Sequence, residues 1–371
     1  MKLLELGKYY PPHRGGIETL LRSFCEGFSA RGAEVTCIVS NRSRKQEVAN
    51  SGGILLKRLP TWGEFFSTPI TPAYLKESRN WSGDLLHAHF PNPLADLSVL
   101  RAPPQLPIVL SYHSDVVRQA GWMRLYGSVL SHVLERVNQI VVASPPQLEH
   151  SKWLKPVRDR CSIIPYGIDL RQFDLTAEQQ AKVFHLRQNA RLPVVLTVGR
   201  FVGYKGHSYL IEAIKNLEAE LWLLGSGPLE PQLKAQVARL ELRDRVKFLG
   251  NLANEELSIH LHACTLFVLP SITPNEAFGI VQLEAMACGK PVISCDLKSG
   301  VPFVNLHDQT GIVVPPSSAR ALAEAIKYLL DRPDIAGRYA ANGKARVEQE
   351  FRLEQMIERY WELFQKMGVV R

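Results

Sequence analysis

The sequence predicts an α/β protein made of two Rossmann-like β/α/β domains facing each other across a cleft. Three observations carry this. Short apolar runs alternate with amphipathic helical stretches, the pattern of parallel sheets covered by helices on both faces. The alternation runs once to about residue 165 and restarts near residue 192. At 371 residues, with 46% hydrophobic and 22% charged residues, the chain is long enough to bury two cores.

The elements follow in order. Residues 2–6 read as a first strand and 17–31 as an amphipathic helix closed by Gly32, with a second strand at 34–40. Residues 84–89 and 107–112 read as further strands, 125–138 as a helix, and 139–144 and 161–165 as strands. A turn at 166–169 and a polar, Gln-rich run mark the boundary, drawn at 175/176. Beyond it, strands are expected at 192–198, 220–224, 246–249, 264–270, 290–295 and 311–314. Helices are expected around 210–216, 229–240, 254–262, 277–288 and 319–330, with long charged helices over 335–367.

Composition narrows the function classes. The six cysteines are scattered, no pair has C-x-x-C spacing, and most lie in apolar runs. That pattern favours reduced, packed thiols in a cytoplasmic compartment over a disulfide framework or zinc site. No apolar run reaches the roughly 18 residues of a spanning helix. The formal net charge is +8, with most of the excess in the first half, including Arg42, Arg44, Lys45 and 152–160. No aromatic-interleaved basic motif accompanies it, so nucleic acid is not the expected partner. An anionic membrane surface or an anionic lipid-linked substrate suits it better.

The stretch 275–292 says most about chemistry. A buried strand ends at Pro270, and a helical pattern opens at Ala277, Phe278, Gly279 and Ile280 and stops at Gly289. The loop brings the N–H groups of a helix N-terminus beside Glu276, and such a terminus suits anions. Glu284 would lie about two turns on, roughly 12 Å at 1.5 Å per residue. A ligand touching both carboxylates is long, with hydroxyls at its ends and negative charge between, as in a nucleoside diphosphate sugar.

Four other segments fall after predicted strands, where open parallel sheets bind ligands. Gly15 and Gly16 precede the first helix and let a phosphate approach the backbone. His113 follows the 107–112 strand and can donate to a sugar oxygen or a leaving phosphate. Arg200 and Lys205 bracket a glycine-containing loop and match a diphosphate, Arg as a fork and Lys as a point charge. Gly225, in the Gly-Ser-Gly-Pro turn 225–228, lets a base or ribose pack on backbone. His87 and His89 alternate on a strand, but with no carboxylate as third ligand a metal is not expected there. No Asp-x-Asp metal motif is present.

With these residues in view, the chain resembles the retaining glycosyltransferases of family 4, which have the GT-B fold. The resemblance spans nearly the whole chain. It rests on Glu276 and Glu284 with Phe278-Gly279 between them, Gly199-Arg200 with Lys205-Gly206, the 225–228 turn, Gly15-Gly16-Ile17-Glu18, and the 310–316 segment. It implies that Arg200 and Lys205, helped by Gly16, hold the donor diphosphate. The amides near Phe278, Gly279 and Ile280 would contact sugar and phosphate, Glu276 the sugar hydroxyls and Glu284 the ribose. His113 would reach the sugar in the transition state, and the terminal helix, 353–371, would rejoin the N-terminal, acceptor-side domain. Residues 176–352 would form the donor domain.

Segments 112–119 and 299–305 resemble a subgroup rich in mannosyltransferases of bacterial surface polysaccharide assembly. GDP-mannose is therefore the expected donor, with UDP-sugars the alternative. Phe303 departs from the commoner pattern, which carries a Glu there. The implied reaction is hexose transfer with retention, by front-face attack in which the departing phosphate takes the acceptor's proton. Cations would replace a divalent metal, so no cofactor is expected. The implied acceptor is a glycan or polyprenyl-diphosphate-linked glycan, at the inner face of the cell membrane, with aromatic residues 61–66 offering lipid contact. Rival readings are a GT-B-fold sugar-nucleotide epimerase or phosphorylase, and a non-catalytic nucleotide-sugar binding module.

Overall fold

The computed structural model describes every residue except 14, 66–67, 116–119 and 371, and the side chains of 120–125 are also left aside. The chain divides into two compact units, Met1–Pro165 with Leu353–Arg371, and Tyr166–Arg352. The fold is α/β, with a largely parallel sheet in each unit.

In chain order the strands of the first unit are β1 (Lys2–Leu6), β2 (Glu34–Ser40), β3 (Glu47–Ser51), β4 (Ile54–Leu59), the hairpin pair β5 (Glu64–Phe65) and β6 (Thr68–Pro69), β7 (Leu85–Phe90), β8 (Ile108–Tyr112), β9 (Gln139–Val142) and β10 (Cys161–Ile163). The eight-stranded sheet has the order β10–β9–β8–β7–β1–β2–β4–β3, and only β3 runs antiparallel. The chain leaves β1 toward β2 on one side and returns to β7 on the other. The carboxyl ends of β1 and β7 therefore flank a topological switch point, where open sheets bind ligands. Strands β7 and β8 are buried at every position because helices cover both faces. The terminal helix Leu353–Lys366 packs on the helix Gly16–Ala30, with Phe24 and Phe28 edge-on to Tyr360.

The second unit carries β11 (Val194–Val198), β12 (Glu220–Leu224), β13 (Val246–Gly250), β14 (Leu266–Leu269), β15 (Val292–Cys295) and β16 (Gly311–Val314), in the order β13–β12–β11–β14–β15–β16, all parallel. Its switch point lies between β11 and β14.

Several elements were not read from the sequence. The Gln-rich run is the helix Ala177–Asn189, opened by a capping box between Thr176 and Gln179. It buries only Val183, so it carries almost no apolar stripe to read. Strand β3 is exposed along its whole length and equally lacks a pattern. The helices Pro72–Arg79 and Pro93–Arg101 also went unread, although each begins with a Pro, a start signal.

Candidate active site

In the second unit, the loops after β11, β12 and β14 are joined through their backbones. Gly199 N–H donates to the Leu224 carbonyl, Phe201 N–H to that of Ser226, and Ile272 N–H to that of Tyr204. Glycine is required where these loops meet. Gly206 has φ +69° and a Cβ there would stand 2.0 Å from the Pro270 carbonyl oxygen. Gly225, at φ +138°, would meet the Gly199 carbonyl oxygen at 2.1 Å. The three loops thus form one layer beside the switch point.

Lys205 and Glu276 meet in that layer. Lys205 Nζ lies 2.5 Å from Glu276 Oε2, and Ser271 Oγ donates to the same oxygen at 2.8 Å. Both side chains are only 13% and 11% exposed. Burial works against the lysine's charge, but Glu276 outweighs it and holds its pKa above the ordinary value. The Lys205 stem runs 3.4 Å from where a Gly199 Cβ would sit. Arg200 is exposed and has no ion-pair partner among the described residues.

The helix after Glu276 begins later than expected. It spans Ile280–Ala287, and Gly279 caps it at φ +71°. A Cβ on Gly279 would press into Leu269 and Gln282. The left-handed cap starts the helix three residues after the expected opening at Ala277. Only part of the 276–284 interval is helical, so the 12 Å reckoning does not apply. Phe278 is buried against Tyr166 and Phe351. Glu284 is half-buried, and desolvation pushes its carboxyl up to about 7. Phe303 packs against Phe278, with the Arg346 guanidinium 5.6 Å from its ring, so the position that commonly carries a carboxylate is here part of an aromatic cluster.

In the first unit, Gly16 opens the first helix and is exposed. The Glu18 carboxylate reaches back to the cap: a Cβ on Gly15 would lie 2.1 Å from its Oε2. His113 is 4% exposed and belongs to a buried polar chain. Register builds this chain, because Glu5 on β1 pairs with His87 on β7, and His89 pairs with Ser111 on β8. Glu5 Oε1 lies 2.9 Å from His87 Nδ1, and Oε2 2.9 Å from His89 Nε2. His89 Nδ1 lies 2.9 Å from His113 Nε2. On the other arm, His87 Nε2 meets Ser111 Oγ at 2.8 Å, and Ser111 meets the Tyr360 hydroxyl at 2.7 Å.

Glu5 is wholly buried, which would raise its pKa, yet the two imidazoles overcome this and hold it at about 2. Burial lowers His89 and His113 below the ordinary value. Sequence reasoning missed Glu5, Ser111, Ser271 and Tyr360. A carboxylate inside a strand of leucines was the one available signal. Glu5 also corrects the argument about metal. His87 and His89 were set aside for want of a carboxylate, and Glu5 supplies one, with ligating atoms of all three within 4.8 Å. The atoms involved are all engaged in the hydrogen bonds above.

The segment 112–119 lies in part outside the described residues, as does Phe66 of the aromatic segment. Trp62 and Phe65 are 60% and 58% exposed, and Arg44 stands over the Trp62 ring at 5.2 Å. No helix among the described residues is long and apolar enough to cross a membrane.

Residues 178–346 match the family model described as Glycosyl transferases group 1, and residues 14–172 that described as Glycosyltransferase Family 4. The chain is 32% identical over 369 residues to the O-antigen chain mannosyltransferase C of Escherichia coli, covering 98% of each. It is 32% identical over 354 residues to the D-rhamnosyltransferase WbpZ of Pseudomonas aeruginosa, covering 95% of this chain and 92% of the other. Among solved structures, the sucrose-phosphate synthase from Thermosynechococcus elongatus superposes with a TM-score of 0.84 at 25% identity, over the full length of both chains. The protein is a glycosyltransferase of the group 1, family 4 type, with the GT-B fold.

Proposed function

We propose that the protein is a retaining hexosyltransferase that moves mannose from GDP-mannose to a glycan or polyprenyl-diphosphate-linked glycan in cell-surface polysaccharide assembly. The observation that carries this reading is the loop layer at the β11/β14 switch point. It combines one exposed arginine, a largely buried lysine–glutamate ion pair and backbone-to-backbone glycine contacts.

Arg200 and Lys205 supply positive charge to the departing diphosphate, Lys205 exchanging Glu276 for phosphate oxygens. The backbone at Phe278, Gly279 and Ile280, with Gly225, lies against the donor, and Gly16 adds its amide to the diphosphate. Glu276, once released, accepts from hydroxyls of the transferred sugar, and Glu284 accepts from the ribose. His113 serves the sugar in the transition state. Retention follows if the acceptor hydroxyl attacks on the leaving group's own face and the phosphate takes its proton, which needs no side-chain base. The unit Met1–Pro165 with Leu353–Arg371 is assigned to the acceptor side and Tyr166–Arg352 to the donor side.

The mannosyltransferase relative supports mannose. The rhamnosyltransferase relative, matched at the same identity, favours D-rhamnose, the 6-deoxy form of mannose, as the second reading. The protein is assigned to the cytoplasm, where the exposed Trp62 and Phe65 with Arg42, Arg44 and Lys45 contact the anionic inner face of the membrane.

A thermal-shift panel tests the donor site, because a ligand of the folded state raises the midpoint by mass action. The expected result is stabilisation by GDP and GDP-mannose, unchanged by chelator, followed by mannose transfer to a polyprenyl-diphosphate-linked acceptor. Stabilisation by UDP alone would overturn the donor, and a shift abolished by chelator would overturn metal independence. Phosphate-dependent sugar release or an isomerised donor would reveal the rival enzymes. Binding without transfer or hydrolysis would mark a binding module.

A further inference from the structure

We infer that Arg346 is a positioning residue for the donor loop: through the Phe303 carbonyl and the short helix Val301–Val304 it fixes the peptide that joins Ala277 to Phe278. The consequence for the donor rests on the reading above that the backbone at 278–280 lies against it, whereas the chain of contacts does not.

The chain begins at an arginine that packing alone does not explain. Arg346 stands on the helix Pro333–Glu350 with its side chain 13% exposed. The carbon of its guanidinium lies 5.6 Å from the centre of the Phe303 ring and 5.4 Å from that of Phe351. Glu350, 3.3 Å away, is 46% exposed, so solvent weakens that ion pair. Nε is buried and has no hydrogen-bond partner. Burying an unbonded N–H costs free energy, and a methionine would fill the same space without that cost. What the arginine adds is the bond that Nη2 donates to the Phe303 carbonyl, 3.1 Å long.

That bond holds one end of a lever. Phe303 lies in the last turn of the helix Val301–Val304, where carbonyls lack partners within the helix and a cation is favoured. Val304 and Asn305 donate their N–H groups to the Gly300 and Val301 carbonyls, so the segment moves as one piece. At its other end, Gly300 N–H donates to the Ala277 carbonyl at 2.7 Å. A trans peptide is planar, so the Ala277 C=O and the Phe278 N–H point in opposite directions. Holding the carbonyl toward Gly300 therefore turns the Phe278 N–H away from it. Among the described residues, no backbone carbonyl accepts the N–H of Phe278, Gly279 or Ile280. The rings complete the support, because Phe278 packs on both Phe303 and Phe351, the two rings that Arg346 touches.

The test starts with the unaltered full-length protein. Residue-resolved hydrogen exchange should find the Gly300 amide protected by its bond to Ala277. Exchange there at the unprotected rate would overturn the inference before any variant is made. Arg346→Met keeps the length of the side chain and removes its N–H groups. Gly300 should then exchange at least about tenfold faster, while the amides of β11 and β12 exchange as before. Unchanged exchange at Gly300, or an equal rise in β11 and β12, would overturn the positioning role. Arg346→Lys can donate to the carbonyl but offers no flat face to two rings, so its Gly300 rate should fall between the two. A rate as fast as in Arg346→Met would mean that the bond to the Phe303 carbonyl is not the link. Calorimetry and turnover read the consequence. Arg346→Met should bind GDP-mannose at least about threefold more weakly, and GMP, which lacks the second phosphate and the sugar, within about twofold of the wild type. Turnover should fall at least about tenfold, as misplacement of a distant support does. Faster Gly300 exchange with unchanged GDP-mannose binding and turnover would overturn the donor reading of 278–280 and leave the positioning of the loop standing.

Discussion

Glu5 in the first unit and Glu276 in the second are both carboxylates at a sheet's switch point, yet they are held differently. Glu5 has no exposure, accepts from two imidazoles and lies in a chain closed at its far end by the terminal helix. Glu276 is bound by one lysine and one serine on loops, and Arg200, on the same loop as that lysine, is open to solvent. The first arrangement is assembled by strand register and keeps its partners. The second holds its charges in an ion pair between two loops. The buried chain is fixed by the sheet on every side, whereas the ion pair between loops is the one proposed above to open for phosphate.

The comparison breaks most visibly at Lys205. Lys205→Ala should lower turnover by at least one to two orders of magnitude, as removal of a charge-stabilising donor does. Near wild-type turnover in a folded variant would reduce the pair to a structural contact.

Asp96 tests whether every buried carboxylate of the first unit is as well held as Glu5. It is fully buried, bonded to Tyr126 through one oxygen and unpartnered at the other, and desolvation pushes its pKa up to about 7. A folded pKa above the unfolded value means that the native state holds the proton more tightly. Its contribution is therefore full below about pH 4 and is lost as pH rises toward 7. Asp96→Asn should gain on the wild type by about 2 kcal/mol between pH 5 and pH 8 in denaturant melts. A difference that does not vary with pH would count against the raised pKa.

Glu276→Gln sharpens the exchange idea with the smallest effect. Neutralising the partner leaves Lys205 uncompensated before ligand arrives. GDP without its sugar should then bind several-fold tighter, on the order of 1 kcal/mol, while sugar transfer slows. Weaker GDP binding, measured by calorimetry, would mean that Glu276 supports the lysine and does not compete for it.

Much of this was legible in residue order. The strands β1, β2, β12 and β16 are apolar runs bounded by turn residues. Arg200, Lys205 and Glu276 stood out as charges in loops that follow buried strands, and Glu284 by its spacing from Glu276. The helix Ala177–Asn189 and strand β3 were hidden because they bury too little to leave a period. The start of the helix Ile280–Ala287 was misread because nothing in the residue order shows that Gly279 adopts a left-handed backbone.

The sequence by itself determined the two α/β units and the strand ends that carry polar residues. Periodicity and turn chemistry act over a few residues, so they are written locally. Only the tertiary structure decided that Glu5 would meet His87 and His89, that Tyr360 would close the chain from the far end of the sequence, and that Lys205 would pair with Glu276. Those meetings depend on the order of strands in each sheet and on loop backbones close enough that only glycine fits, and neither is set by neighbouring residues alone.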